Sequence, residues 1–207
     1  MATAIAGPLS RFFAKSDDDA VRLRAGVEAW RKDLVSSVAE KVGEQLTWDE
    51  ASDTVFESDL GDSGWNALRM FAFYAERSDL DWPDVVPALP EFDTKWREAA
   101  DDKFSKSLYG QLLVCEMWLP GEFPVTIRAP RPDGEAAEIG SLKVLADQLL
   151  WLNQRTFQAD VIEIAKWLEM PAEANGSFLM ATRRGYAALS AAVEVAQAKA
   201  TPLVLKP

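Results

Sequence analysis

From Gly140 to Met170 the apolar residues recur every three or four positions, the repeat of one face of an α-helix. Leu142, Leu145, Leu149 and Leu152 begin the stripe, and Phe157, Val161, Ile164 and Leu168 resume it after Asn153. Trp151 and Trp167 widen it. Ser141 is placed to cap the first turn with its hydroxyl, and Pro171 cannot extend the ladder at the far end. At about 1.5 Å per residue a continuous helix would span about 45 Å, wider than a small domain, so the spacing predicts a bend at Asn153–Thr156. A chain with such an element must arrange the rest of its core around it.

Other helices are read from start and stop signals. Ser16 with Asp19 forms a capping box, and Leu23, Val27, Trp30, Leu34 and Val38 supply the stripe of a helix ending at Gly43. Thr47-Trp48-Asp49-Glu50 reads as a second capping box, opening a short helix with Ala51, Val55 and Phe56 on its apolar side. Asp62 or Ser63 caps a third, bearing Trp65, Leu68, Phe71 and Ala75. The prolines between Ser78 and Asp93 predict an extended loop pinned by Trp82. A fourth helix runs from Thr94 to Cys115, weakened at Gly110. Phe123–Ile127 is the best strand candidate, and its flanking Pro124 and Pro130 make it an edge. Arg131–Gly134 is a turn, and Asn175 or Ser177 caps a last helix with Phe178, Thr182, Tyr186, Leu189, Val193 and Ala196 on one face.

The fold class expected is therefore mainly α: a single-domain bundle of five to seven helices around a long central helix, with a minor β element and α+β as the alternative. Residues 1–15 are expected as a flexible segment, 16–200 as one helical domain and 201–207 as a tail, in which Pro202–Leu205 can add a short strand. The 207 residues, 48% hydrophobic, are enough for one sizeable core.

Histidine is absent, which removes every mechanism that uses an imidazole as base or ligand. Gly61-Asp62-Ser63-Gly64 matches the trypsin-like nucleophile motif by letters alone; without a histidine partner it reads as a turn and helix cap. The lone Cys115 lies in an apolar run and reads as a small buried hydrophobe in a reducing, cytoplasmic setting. Met1–Phe13 does not read as a signal peptide, and no apolar run approaches the roughly 20 residues of a membrane span. No membrane partner, nucleic-acid partner or cofactor is expected.

Charge is unevenly spread. Residues 44–93 hold 13 acidic and 2 basic residues, a balance of −11, while the remainder holds 20 of each. Solubility alone does not need this segregation. The leading expectation is a non-enzymatic binding protein that recognises a cationic protein through Asp49, Glu50, Asp53, Glu57, Asp59, Asp62, Asp79, Asp81 and Asp84, much as an immunity protein or antitoxin covers a basic partner. Two alternatives stand beside it. One is a divalent-metal carboxylate enzyme using Asp49, Asp53 and Glu57 at helical i,i+4 spacing, although no calcium-type loop or metal motif supports a metal site. The other is a small-ligand protein with a pocket lined by some of the eight tryptophans.

Overall fold

The Gly140–Met170 stripe folds as two helices. The computed structural model describes residues 2–42, 46–77, 81–83, 85–86, 90–171 and 177–206. Within them, Leu142–Arg155 and Val161–Leu168 are separate helices, numbered α6 and α7 in chain order. Ser141 caps the first as read, its Oγ accepting from the Val144 N–H at 3.2 Å. The break is held by the Asn153 side chain, which accepts from the Ala159 N–H at 3.0 Å and donates to the Ala159 carbonyl at 2.9 Å. Gln158 turns the chain at φ 52, and Asp160 then starts the next helix by accepting from Ile162 N–H and Glu163 N–H. The stripe keeps its rhythm through an interruption that ends the helical ladder, and the periodicity alone predicted only a bend.

The expected helical bundle is overturned by a six-stranded mixed sheet, which makes the fold α+β. Its strands are β1 (Thr3–Ala6), β2 (Phe56–Asp59), β3 (Met117–Leu119), β4 (Ile127–Pro130), β5 (Ala136–Ser141) and β6 (Leu203–Lys206), in the order β2-β1-β6-β3-β5-β4. Among the described residues only β3 and β5 pair in parallel. Residues expected as a flexible start and a C-terminal tail supply two adjacent inner strands of this sheet: β1 pairs with β6 in antiparallel register, Ile5 opposite Val204. The short strand expected at Pro202–Leu205 is present as β6, while β1, four residues long, gains β6 from the other end of the chain as a partner that no local window reveals. The strand expected at Phe123–Ile127 begins only at Ile127; it is an edge, as its prolines require, and the Arg131–Gly134 turn joins it to β5.

The sheet is covered on both faces. Successive residues of a strand point to opposite sides. Met117, Leu119, Ile139 and Val204 pack with Leu9 of α1 (Leu9–Phe13) and with Val27, Leu34 and Val38 of α2 (Asp17–Val42). Trp118, Leu203, Leu205, Ala4 and Ala6 enter the larger core on the other side. That core is built on α3 (Gly64–Ala75), α4 (Thr94–Asp101), α5 (Gly110–Val114), α6, α7 and α8 (Phe178–Ala198). Strands buried on both faces carry apolar runs such as Met-Trp-Leu and Leu-Val-Leu in place of alternation.

The packing centre is α8, which touches α3, α6, α7, β1, β2 and β6. Its expected stripe is buried throughout, and Ser177 caps it by accepting from the Met180 N–H at 3.3 Å. Gly185 lets it approach the start of α3: a Cβ there would stand 2.3 Å from the Gly64 carbonyl oxygen. Gly140 does the same for β5, where a Cβ would come 2.7 Å from the Trp118 ring.

Two further helices differ from expectation. Thr94–Cys115 divides into α4 and α5, because Lys103 and Phe104 adopt left-handed backbone at φ 50 and 51; Gly110 opens the second piece. Residues 46–55 form no helix, and Phe56 begins β2. The expected helix end at Gly43, the alternative cap at Asn175 and much of the Ser78–Asp93 loop lie outside the described residues.

Candidate functional site

The loss of the helix at residues 46–55 dismantles the geometry on which an acidic recognition helix depended. Asp49, Asp53 and Glu57 do not share a helix face, because Glu57 sits on β2 opposite Ile5. Asp49 is exposed and accepts from the Ala51 N–H at 2.8 Å. Asp53 pairs with Arg11, which also holds Asp17. Asp59 folds the next turn by accepting from the Gly61 N–H at 2.8 Å. Glu57, Asp62 and Asp81 are exposed, and Asp79 and Asp84 lie outside the described residues.

Glu50 is an internal ligand of the fold. It is 3% exposed, and its two oxygens accept from Leu9 N–H and Ser10 N–H, both at 3.0 Å, from Ser10 Oγ at 2.7 Å, and from Trp48 Nε1. The carboxylate thus satisfies the first amides of α1 in place of a local cap. Among the described residues no group of three or more Asp, Glu, Cys or His stands together as a metal site.

The site that the fold assembles lies on the opposite face of the sheet. A cleft of about 810 Å³ opens where α3, the loop around Trp82, the α6–α7 break and the first turns of α8 converge. That volume suits a small organic ligand. Its wall is aromatic: Phe71 stacks on Phe157 at 4.7 Å and 9°, and Trp82 lies on Phe71 at 4.3 Å with Phe178 6.2 Å beyond. Phe157 is backed by Trp167 and Tyr186, edge-on at 5.1 and 5.5 Å, so the stack is anchored in the core. Trp82 alone stays 44% exposed, an indole that is held in place yet open to solvent.

Three guanidinium groups border the cleft: Arg77, Arg155 and Arg183. Arg77 is engaged, lying 3.7 Å over the Phe73 ring, donating to the Phe73 carbonyl and facing Glu76 at 3.9 Å. Arg155 is exposed in the last turn of α6 and acts on the Tyr109 hydroxyl, whose pKa burial raises and Arg155 draws back. Arg183 lies 5.3 Å over the Trp167 ring, and its buried Nε has no hydrogen-bond acceptor. An unpaired buried donor costs about 1–3 kcal/mol. Tyr74 donates to Asp93, and burial, then that hydrogen bond, pushes its pKa up to about 12.

Hydroxyls in the cleft are committed to structure: Ser177 caps α8 and Thr156 Oγ1 donates to the Leu152 carbonyl at 2.6 Å. Cys115 is buried elsewhere, and burial raises its thiol pKa. The arrangement is equipped for binding by stacking and charge. Sequence reasoning placed Phe71, Phe157 and Phe178 in apolar stripes and missed that Trp82 and the three arginines join them; the surplus of tryptophan was the only signal. No helix among the described residues is long and apolar enough to cross a membrane. No family model matches this chain, and neither the curated proteins nor the solved structures contain a match.

Proposed function

We propose that this chain is a small-ligand-binding protein whose aromatic cleft holds a molecule with a flat apolar body. The observation that carries this reading is the half-exposed Trp82, fixed against the Phe71–Phe157 stack at the mouth of a ligand-sized cleft. A large aromatic side chain left open in a built wall offers stacking area that the protein itself does not use. A buried Cys115 that has no cysteine partner in the chain fits a reducing cytoplasmic location.

Titration with N-phenyl-1-naphthylamine, a neutral dye whose fluorescence rises in apolar surroundings, tests the reading. The expected result is saturable binding that weakens about tenfold in Trp82→Ala, the loss of roughly 1.4 kcal/mol of stacking. Trp30→Phe, on the α2 side of the sheet, should bind as the wild type does. Equal binding by wild type and Trp82→Ala would refute the cleft as the site.

A second reading keeps the acidic stretch as a surface for a cationic protein. It is favoured by the charge balance of −11 in residues 44–93 and by the exposure of Asp49, Glu57, Asp62 and Asp81. Association rates of a basic partner should then fall with salt, and fall further in Glu57→Gln with Asp62→Asn.

A further inference from the structure

We infer that the cleft ligand is an anion, a planar aromatic or conjugated body bearing one carboxylate, sulfonate or phosphate group that Arg183 and Arg155 receive. This rests on the cleft being a ligand site and adds the chemical class of what enters it.

The charges that face the cleft carry the argument. Arg77 is turned to the Phe73 carbonyl and Glu76, and is already used. Asp93 accepts from the Tyr74 hydroxyl and from the Trp96 N–H at 2.8 Å, so its carboxylate is held by the α4 cap. Arg155 and Arg183 make no ion pair among the described residues. Arg183 also keeps a buried Nε with no acceptor, although its guanidinium is braced over Trp167. A braced guanidinium with donors unspent matches the fork geometry of a planar or tetrahedral oxyanion. The first turn of α8, Phe178 and Leu179, borders the same cleft, and the amide end of this 21-residue helix adds positive potential. The chain is acidic overall, at −11, so two arginines without a carboxylate partner among the described residues, Arg183 with its Nε unbonded and Arg155 beside the Tyr109 hydroxyl, run against its composition.

Two dyes with the same aromatic body separate charge from stacking: 8-anilino-1-naphthalenesulfonate and the neutral N-phenyl-1-naphthylamine. At low salt the sulfonate should bind about tenfold tighter than the neutral dye, the range of one charge-assisted hydrogen bond. Arg183→Gln should narrow that gap to about threefold or less, and Arg155→Gln should narrow it by a smaller factor. Arg22→Gln, on the exposed side of α2, should leave it unchanged. Wild type should also lose sulfonate affinity as salt rises while the neutral dye holds, a readout independent of how well the variants fold. Equal affinity for the two dyes, with binding still dependent on Trp82, would overturn the anion inference and leave the cleft as an apolar site. Binding of neither dye, or binding indifferent to Trp82→Ala, would overturn both.

Discussion

The two faces of the sheet are closed by different means. On the α2 side, twelve buried apolar residues among those described form a small core, and the carboxylate of Glu50 ties α1 to the segment that follows α2. On the α8 side the core is larger, runs through α3, α5, α6 and α7, and ends in an aromatic cleft bordered by arginines. One face uses a polar group inward to finish its packing; the other has apolar and cationic groups left over at its rim. On the proposed reading, surplus binding capacity and not net charge marks the face that takes a ligand.

The contrast predicts a graded response to mutation. Leu189→Ala, in the middle of α8, should cost about 2–5 kcal/mol in urea unfolding, because it empties a fully buried position against several elements. A loss under about 0.5 kcal/mol would mean that α8 is not the packing centre. Glu50→Gln should cost about 1.5–3 kcal/mol, since an amide cannot accept all the donors the carboxylate serves. If Glu50→Gln is neutral, Glu50 belongs with the solvated acids and the α2 side is closed by apolar packing alone.

How much of this was legible in the sequence depends on range. Ser141, Ser177 and the Ser16–Asp19 box were readable because a cap acts within one helical turn, and the α8 face because its repeat runs unbroken for 21 residues. Most of the sheet was not: the short strand at Pro202–Leu205 was expected, but β1 pairs with it from the opposite end of the chain and β3 is apolar on both sides. The Thr47–Glu50 box had the right letters, but the Glu50 carboxylate found the amides of Leu9 and Ser10 instead of its own segment. The cleft draws residues from 71–83, 155–157 and 177–183, stretches distant in sequence, so its phenylalanines looked like core, Trp82 like a loop pin, and nothing set its arginines apart.

Smaller effects sharpen the comparison. Asp160→Ala, which removes the cap of α7 beside the cleft, should cost about 1 kcal/mol. Asp53→Asn on the α2 side should cost at most about 1 kcal/mol, as its bond to Arg11 is exposed. Tyr74 gives a pH-dependent signal with a definite sign. Its pKa is raised on folding from 10.0 to about 12, so the stability it contributes is present below pH 10 and is lost as pH rises toward 12. The melting temperature of wild type should therefore fall relative to Tyr74→Phe across that window, and parallel curves would show that neither burial nor the Asp93 bond shifts the hydroxyl in solution.

Amide chemical-shift mapping with N-phenyl-1-naphthylamine tests the central claim most directly, since it reads both faces of the sheet in one titration. The account predicts shifts that saturate together at Phe71, Trp82, Phe157, Phe178 and Leu179, with the α2 helix from Asp17 to Val38 unmoved. Shifts centred on α2, or spread evenly over both faces, would contradict it.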